Sequence, residues 1–578
     1  MRDGTRLFTA IYAPRDTTRA YPILLTRTPY AVAPYGDNAF PASLGPWSGF
    51  QDPGYIFVRQ DVRGRYMSEG YHQFMTPHLN VKDSAGNVDE STDTYDTIDW
   101  LVKNVPRNSG RVGTFGTSAP GFFVVAGMID AHPAHRAAYA SAPMIDWWLG
   151  DDRHHNGAFT LAQTFNFLSG FDQPRTGPTT QYPPRPDFGT QDGFLFHLNA
   201  GPLSQYSQEV LAGRVAFWDS IAAHPDYDEF WQRRAIWRHV SNIRPAVLTV
   251  GGWYDAEDRF GFLQLNSMLS ALSPQTSRTL VIGPWTHGSW GGGDGDVLGP
   301  LSFGSATARY FRDSIGLPFF SCALKDRCTT APPRVRAFAT GSNRWHTFDV
   351  WPPRAAAPRA LYLRENGGLS FDAPAGDGAD WYTSDPARPV PYTQALSFGY
   401  WREYPLEDQR FASRRPDVLV YQTPPLTEDL TIAGPIEVTL HASTTGTDAD
   451  FIVKVIDVYP NSSPAQHANG PRMDAYQQLV HGNAFRMRWR RSFERPQPML
   501  ATTPDSVTFA LEDVFHTFRR GHRLMVHVQS TWFPLIDRNP QTFVPNIYAA
   551  RPADFQAALM TVFRAADRPS RLTIPVLR

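Results

Sequence analysis

The chain has 578 residues, of which 42% are hydrophobic and 19% charged, the composition of a folded globular protein with two or three domains. Its 54 Lys and Arg residues balance 55 Asp and Glu residues, so no basic surplus indicates nucleic acid and no acidic surplus indicates a disordered tail. No apolar run approaches the roughly 18 residues of a membrane span. We therefore expect neither a nucleic acid nor a membrane as a partner.

Residues 1–145 alternate short apolar runs with helical patterns. RLFTAIYAP, ILLTR, YIFVRQD and RVGTF are strand-like. DTYDTIDWLVKNVP predicts an amphipathic helix that ends at Pro106. The apolar positions of this helix share one face: Tyr95, Ile98, Leu101, Val102 and Val105. Strand, helix and strand in this order predict a mostly parallel α/β sheet. No secretory leader precedes the first strand, and either a removed leader or a cytosolic start would give this beginning.

The strand signal then disappears over residues 146–234. GAFTLAQTFNFL and DEFWQRRAIWRHV are helical patterns, separated by the proline-rich QYPPRPDFG. The α/β pattern resumes with AVLTVGG and TLVIGPW. We therefore expect an α/β domain formed by residues 1–145 and 235–330, with residues 146–234 inserted into it as a helical cap.

Residues 331–578 are rich in short strands. PIEVTLHAS alternates strictly, with Ile436, Val438 and Leu440 on one face, and FIVKVIDVYP, RLMVHVQS and RLTIPVL are also strand-like. Such strands with turn residues between them predict a β-sandwich or jelly roll. Just before this region are the two cysteines, Cys322 and Cys328. Their spacing is not a zinc pattern, and both a local disulfide and two free thiols remain open.

The segment RVGTFGTSAPGFFVVAGMID predicts a nucleophile. A strand leads into Gly116, Thr117 and Ser118, and an apolar helix follows. Such a turn lifts a serine Oγ off the sheet edge and points the helix N-terminus at an oxyanion. The match to G-x-S-x-G is imperfect because Pro120 takes the place of the second glycine. The alternative is that Ser118 only caps the helix.

A nucleophilic serine needs a base and an acid that orients the base. Asp255 follows the strand AVLTV, and His287 follows LVIGPW within a glycine-rich loop. Both therefore lie at the carboxyl ends of strands, in the order Ser, Asp, His that α/β-hydrolases use. The alternative for His287 is an ordinary histidine of a surface loop.

Further carboxylates follow Asp255 in GGWYDAEDRFG, where Glu257 and Asp258 stand beside bulky aromatic residues. Like charges so close together repel, and a cation between them would relieve the repulsion. The alternative is a pair of solvated acids stabilised at a helix start. A metal site built from Asp152, His154 and His155 in GDDRHHNG is a further alternative, although the spacing matches no standard metal motif.

Several motifs together resemble the α-amino-acid ester hydrolases, relatives of cocaine esterase and of the Xaa-Pro dipeptidyl peptidases. These motifs, spread over nearly the whole chain, are MRDGTRL, LLTRTPY, DVRGRYMSEG, GRVGTFGTSAPG, MIDWWLGDD, GGWYDAED and GPWTHG. The resemblance implies an α/β-hydrolase domain, a helical cap and a C-terminal jelly roll. It also implies an enzyme that is often exported to the periplasm or secreted, and often a homotetramer.

The resemblance also implies roles for individual residues. Ser118 corresponds to the nucleophile, Asp255 to the triad acid and His287 to the base. The hydroxyl of Tyr30 and the backbone N–H of Ala119 correspond to the oxyanion hole. The family usually has tyrosine after the serine, so Ala119 and Pro120 depart from its pattern and alter one wall of the acyl pocket.

An acid aligned with Asp152 joins Glu257 and Asp258 in the family's cluster for the substrate's α-ammonium group. The implied substrates are α-amino acyl esters and amides, with the acyl group passed to water or to amines such as β-lactam nuclei, and no metal or cofactor is required. The alternatives are a Xaa-Pro dipeptidyl peptidase, a cocaine-esterase-like enzyme, or a glutaryl acylase, whose pocket would need a cation that the sequence does not place near the cluster. A more remote alternative is a carbohydrate-binding protein with an idle triad.

Overall fold

A computed structural model of the protein describes residues 1–48, 50, 54–328 and 332–578. The predicted boundary between residues 330 and 331 lies outside the described residues. In chain order, the α-helices and strands up to residue 350 are β1 (Thr9–Tyr12), β2 (Tyr21–Thr28), β3 (Ile56–Asp61), α1 (Glu90–Asn104), β4 (Asn108–Ser118), α2 (Ala119–Met128), β5 (His135–Pro143), β6 (His154–His155), β7 (Ala158–Phe159), α3 (Leu161–Phe171), α4 (Gly193–Asn199), α5 (Ala216–Ala223), α6 (Glu229–Gln232), β8 (Ala246–Gly252), α7 (Arg259–Leu272), β9 (Arg278–Gly283), β10 (Val297–Leu298), β11 (Leu301–Ser302), α8 (Thr307–Phe311), α9 (Leu317–Lys325), β12 (Val335–Ala339) and β13 (Arg344–Phe348).

A nine-stranded sheet forms the centre of this part, in the order β1-β3-β2-β4-β5-β8-β9-β12-β13. The seven inner strands run parallel, and β1 and β13 are antiparallel edges. Strands β4, β8 and β9 lie near one another, so the loops that follow them meet at one edge of the sheet, where such folds place their sites. The predicted amphipathic helix is α1, which buries Ile98 and Leu101 against β2 and β3.

The helical insertion contains α3, α4, α5 and α6. The helical pattern DEFWQRRAIWRHV forms two short helices, because α6 ends at Gln232, the backbone of Ala235 is not helical, and a 3-10 helix follows over Ile236–His239. Trp231 and Ile236 are both buried. Five positions along a continuous helix would turn these side chains to different faces, and the break lets both face the core.

The remaining elements are β14 (Ala356–Arg364), β15 (Gly368–Ser370), β16 (Ala379–Ser384), α10 (Arg410–Ser413), β17 (Leu419–Gln422), β18 (Leu430–Thr444), β19 (Asp450–Val458), β20 (Gln477–Arg486), β21 (Asp505–Phe518), β22 (Arg523–Gln529), β23 (Ala558–Ala565), β24 (Arg568–Pro569) and β25 (Arg571–Leu577). The strands among them form a mostly antiparallel sheet, in which β18 pairs with β21, β23 and β25. The alternating face of β18 is fully buried, at Ile436, Val438 and Leu440. Because β12 and β13 join the first sheet, this second sheet begins only at Ala356.

The predicted fold class is confirmed: an α/β-hydrolase domain with a helical insertion is followed by an all-β domain. Cys322 and Cys328 form a disulfide at the end of α9. Among the described residues, none of the helices combines the length and the apolar composition that a membrane span requires.

Candidate active site

Ser118 lies at the sharp turn between β4 and α2, with φ 64° and ψ −126°. A non-glycine residue in this region is strained, and such strain is typical of residues held in place at active sites. Gly116 is required two residues earlier, because a Cβ there would overlap the carbonyl group of Pro120. Pro120 occupies the first turn of α2, where a backbone N–H has no partner within the helix. The proline is therefore compatible with this turn.

The side chain of Ser118 makes no capping hydrogen bond to α2, contrary to the helix-cap alternative. Its hydroxyl Oγ instead donates a hydrogen bond of 3.2 Å to Oδ2 of Asp258. The serine is thus joined to one of the carboxylates that follow β8.

His287 and Asp255 form a hydrogen-bonded pair in the loops after β9 and β8. Nδ1 of His287 lies 2.9 Å from Oδ2 and 3.1 Å from Oδ1 of Asp255. This leaves Nε2 of His287 facing Glu257 and Asp258, at 3.7 Å from a carboxylate oxygen of each. In the described part of the chain no hydrogen bond joins His287 to Ser118, and bonds of this kind often tighten only when substrate binds. The largely buried side chain of His287 is not that of a free surface-loop histidine.

The loop that carries Asp255 is held in place from both domains. The backbone N–H groups of Glu257 and Asp258 donate to Oδ1 of Asp255, at 2.9 Å and 3.2 Å. The guanidinium of Arg259 donates to the carbonyl of Trp253 at 2.8 Å and also to the carbonyl of Asp513 in β21. The loop is therefore fixed both within itself and against the all-β domain.

The structure brings Asp152, Glu257 and Asp258 together and buries them, with exposed fractions of 5%, 7% and 0%. They are not the solvated acids of the alternative prediction. Asp152 has a φ of 44°, its Oδ1 accepts a hydrogen bond from Gln163, and its N–H donates to the carbonyl of Glu257 at 3.5 Å. The adjacent Asp151 accepts backbone N–H bonds through its Oδ2 and is also buried.

Burial and neighbouring charges shift the pKa values of the carboxylates and of His287. Burial and the nearby charge of Asp152 raise the pKa of Asp258 well above its usual range, and burial likewise raises the pKa of Glu257. Burial opposes ionisation of Asp255 too, but His287 and two backbone N–H groups lower the pKa of Asp255 below its usual value. Burial also acts to lower the pKa of His287, but Asp255 and Glu257 more than offset this and raise it to about 9. The site therefore favours positive charge.

Two guanidinium groups lie at the edges of the cluster, which corrects the expectation that no cation is near it. Arg402, on the loop between β16 and α10, forms an ion pair through Nε with Oε1 of Glu257. Nη2 of the buried Arg153 lies 3.7 Å from Oδ2 of Asp152, and its guanidinium packs over Trp147. Each of these cations therefore offsets part of the negative charge of one acid of the cluster.

The oxyanion-hole candidates are the backbone N–H of Ala119 and the hydroxyl of Tyr30. Ala119 is the first residue of α2, so its N–H is at the helix N-terminus. Tyr30 is 39% exposed as a residue, and its ring packs edge-on against Phe171. Burial of its hydroxyl end and the charges of Asp152 and Asp258 raise the pKa of Tyr30, so the phenol stays protonated and can donate a hydrogen bond.

A small apolar cavity of about 20 Å³ adjoins Ala119. It is lined mainly by aromatic and other apolar side chains, among them Phe74, Trp147, Phe167 and Phe171. The methyl group of Ala119 forms part of its wall, at the position where the family usually has tyrosine.

The predicted alternative of a metal site at Asp152, His154 and His155 is wrong. Both ring nitrogens of His154 are engaged, with the carbonyl of Trp147 at 3.1 Å and the hydroxyl of Tyr548 at 2.6 Å. Nδ1 of His155 lies 3.2 Å from the side-chain oxygen of Asn483. The donor atoms that do converge in the described part of the chain belong to Glu257, Asp258 and His287, within 4.8 Å of one another.

Sequence reasoning missed Arg402, Arg153, Gln163 and Tyr400. The hydroxyl of Tyr400 donates to the carbonyl of Ala256 at 2.6 Å and so holds the acid loop. Tyr400 and Arg402 lie in GYWREYP, whose sequence resembles no catalytic motif. Their closeness to the site depends on how the two domains pack together.

Comparisons with known proteins identify the family of the chain. Residues 3–289 match the family described as X-Pro dipeptidyl-peptidase (S15 family), and residues 328–573 match its C-terminal non-catalytic domain. Cocaine esterase from Rhodococcus sp. (strain MB1 Bresler) is 27% identical over 604 residues, covering 100% of this chain and 97% of that protein.

Two solved structures are more similar. An aminopeptidase from the marine sediment archaeon Thaumarchaeota archaeon has a TM-score of 0.90 and is 38% identical, covering 100% of this chain and 95% of that one. An α-amino acid ester hydrolase has a TM-score of 0.89 with the same identity and coverage. Since this identity extends over the whole chain, the protein belongs to the α-amino-acid ester hydrolase family, related to cocaine esterase and the X-Pro dipeptidyl-peptidases, and is a serine hydrolase of that type.

Proposed function

We propose that the protein hydrolyses esters of α-amino acids through an acyl-enzyme on Ser118, with His287 as base and Asp255 as the acid that orients it. One observation carries the proposal: Ser118 Oγ donates a hydrogen bond to Asp258, a member of the buried carboxylate cluster. A positive group bound by that cluster lies directly beside the nucleophile.

In the first half of the reaction, Ser118 Oγ attacks the ester carbonyl while Nε2 of His287 takes its proton. The resulting oxyanion is stabilised by the hydroxyl of Tyr30 and the N–H of Ala119. The C–O bond to the alcohol then breaks, and the imidazolium of His287 gives its proton to the leaving oxygen. Asp255 holds the ring in the required orientation and stabilises its positive charge.

In the second half, a water molecule attacks the acyl carbonyl of the acyl-enzyme while His287 takes a proton from the water. The bond between the acyl carbon and Ser118 Oγ then breaks, and His287 returns that proton to Oγ. The free α-amino acid is released. An amine that enters in place of water would form an amide by the same steps, and the family resemblance extends this to β-lactam nuclei as acyl acceptors.

The selectivity for α-amino acyl groups comes from Asp152, Glu257 and Asp258. An ammonium group offers three N–H donors, and the three carboxylates offer matching acceptors. A hydrogen bond to a charged group is worth about 1.5–3 kcal/mol. Two such contacts would favour an amino-acyl ester over its des-amino analogue by about a hundredfold or more.

An aminopeptidase is the second candidate, because an aminopeptidase of known structure is as similar to this chain as the ester hydrolase is. The N-terminal ammonium of a peptide would fit the same acids. Turnover of phenylglycine methyl ester, compared with that of alanyl-proline amide, separates the two functions. Faster turnover of the amide would favour the peptidase.

The proposal is tested by kinetics with phenylglycine methyl ester and phenylacetate methyl ester, which differ in the α-ammonium group. We expect a kcat/KM at least about a hundredfold higher for the amino ester. Equal values would refute the role of the carboxylates. A serine-directed phosphonate that fails to label Ser118 would instead favour an idle triad.

A further inference from the structure

The outward ring nitrogen of His287 has an unusual environment for a catalytic base. Nδ1 is bonded to Asp255, but no hydrogen bond reaches Nε2 from the described residues. Nε2 lies 3.7 Å from Oε2 of Glu257 and 3.7 Å from Oδ2 of Asp258. The ligand-type atoms of these three residues all lie within 4.8 Å of one another.

Two further observations concern Asp258. Oδ1 of the fully buried Asp258 has no hydrogen-bond partner in the described part of the chain. Ser118 Oγ lies 3.2 Å from Oδ2 of the same residue. One imidazole nitrogen, two carboxylate groups and one hydroxyl thus converge on a small buried space.

We propose that His287, Glu257 and Asp258 form an inhibitory binding site for Zn²⁺ or a similar first-row divalent metal. Imidazole and carboxylate together are a ligand set that zinc accepts. Bonds of roughly 2.0–2.2 Å in tetrahedral geometry place ligand atoms about 3.3–3.6 Å apart. Nε2 lies 3.7 Å from an oxygen of each carboxylate, and the three ligand atoms lie within 4.8 Å of one another, so a bound metal would draw the two carboxylates closer together.

The ligand set disfavours other common cations. Ca²⁺ takes six to eight oxygen ligands, and Mg²⁺ requires near-octahedral oxygen coordination with several retained waters. The space between His287 and the two carboxylates supplies fewer oxygens and one nitrogen. Arg402 forms its ion pair with Oε1 of Glu257, whereas Oε2 is the oxygen that lies 3.7 Å from Nε2 of His287.

A metal at this site would inhibit the enzyme because it would bind atoms that the reaction needs. A metal on Nε2 of His287 occupies the lone pair that takes the proton of Ser118. A metal on Glu257 and Asp258 also excludes the ammonium group of the substrate. Metal binding itself does not depend on the proposed function, whereas competition with amino-acyl esters rests on it.

The test is calorimetric titration of ZnCl₂ into the full-length protein after treatment with a chelator. We expect one site in the wild type and no heat with MgCl₂. His287→Asn and Glu257→Gln should each weaken Zn²⁺ binding by at least about tenfold, since even partners outside the coordination shell contribute that much to metal affinity. Zn²⁺ should inhibit turnover of phenylglycine methyl ester competitively, and EDTA should restore it.

The matched control is His224→Asn. His224 forms a more exposed imidazole–carboxylate pair with Asp228, at 2.6 Å, on the helical insertion. We expect this variant to keep the wild-type affinity for Zn²⁺ and the wild-type activity. Loss of the calorimetric site in His224→Asn would place the metal on the surface and overturn the proposal.

Two other results would also overturn it. One is unchanged Zn²⁺ affinity in His287→Asn, with the native fold verified by circular dichroism. If that variant does not fold, unchanged Zn²⁺ affinity in Glu257→Gln, which keeps the size of the side chain, would overturn the proposal instead. The other is acceleration of hydrolysis by Zn²⁺. Failure of the proposed function gives a different result. In that case Ser118→Ala would still hydrolyse the ester, whereas Zn²⁺ binding would still be weakened by His287→Asn.

Discussion

The guanidinium of Arg402, in the all-β domain, forms an ion pair with Glu257, next to the catalytic histidine candidate in the other domain. The side chain of Arg402 is 56% exposed, whereas that of Glu257 is buried. Arg402 therefore neutralises one acid of the cluster from the solvent side. An incoming ammonium group must share Glu257 with it.

We expect Arg402→Gln to lower the KM for phenylglycine methyl ester about two- to fivefold, because an exposed ion pair is worth roughly 0.2–1 kcal/mol. The KM for phenylacetate methyl ester should not change. Arg402→Lys, which keeps the charge, is the matched control and should resemble the wild type. A higher KM for the amino ester in Arg402→Gln would show that the arginine assists binding instead.

Ser118→Ala tests the nucleophile. Since the acyl-enzyme cannot form without the hydroxyl, kcat should fall by about 10⁴-fold or more. Thermal unfolding should remain close to that of the wild type, because the side chain makes no capping hydrogen bond. Retained turnover in a folded Ser118→Ala protein would remove the assignment.

Asp152→Asn and Glu257→Gln test the ammonium site. Each replaces a charged acceptor with a neutral amide of similar shape, so one charge-assisted contact is lost. We expect KM for phenylglycine methyl ester to rise about 10- to 100-fold in each variant. Steady-state kinetics on phenylacetate methyl ester provide the control, and equal losses on both esters would contradict a role in ammonium binding.

The pH dependence follows from the charge around His287. Asp255 and Glu257 overcome the effect of burial and raise the pKa of His287 to about 9. The imidazole acts as base only when deprotonated, so activity should rise with pH. An ammonium group bound among the carboxylates disfavours a second positive charge, and it should lower the pKa of His287 in the complex.

For phenylglycine methyl ester, we therefore expect the midpoint of the rise in kcat to lie about one pH unit or more below that for phenylacetate methyl ester. Glu257→Gln should also lower the midpoint for phenylacetate methyl ester, because it removes one of the charges that raise the pKa. Equal midpoints for the two esters in the wild type would show that the charge of the bound substrate does not change the pKa of His287.

The sequence located the elements that carry the site because each candidate ends or follows a strand. Ser118 is the last residue of β4, Asp255 and His287 follow β8 and β9, and the carboxyl ends of parallel strands meet at one edge of a sheet. The hydrogen bond between Asp255 and His287 is a consequence of that topology.

Local sequence patterns could not predict three other features of the structure. Asp152 could be singled out from Asp151 only through the family resemblance, because both are buried acids in one turn. Arg402 reaches Glu257 through the packing of two domains, and no local periodicity encodes such a contact. The break of the helix after Gln232 depends on which side chains the core accepts, and local propensity did not predict it.

Ala119 offers a test of acyl specificity. It lines the apolar cavity beside the serine, where the family usually has a larger residue. In Ala119→Tyr the new ring should compete for the space among Phe74, Trp147 and Phe171, while the backbone N–H of residue 119 stays in place. We expect kcat/KM for phenylglycine methyl ester to fall about 10- to 100-fold, comparable to the effect of an added group in a tight apolar pocket.

Alanine methyl ester is the control substrate for Ala119→Tyr, because its methyl side chain needs little of the cavity. Its kcat/KM should change less than threefold by the same steric argument. If both esters lose activity equally, the tyrosine has disturbed the oxyanion hole rather than the pocket. If neither does, the acyl side chain lies elsewhere, and the cavity beside Ala119 is only a packing gap.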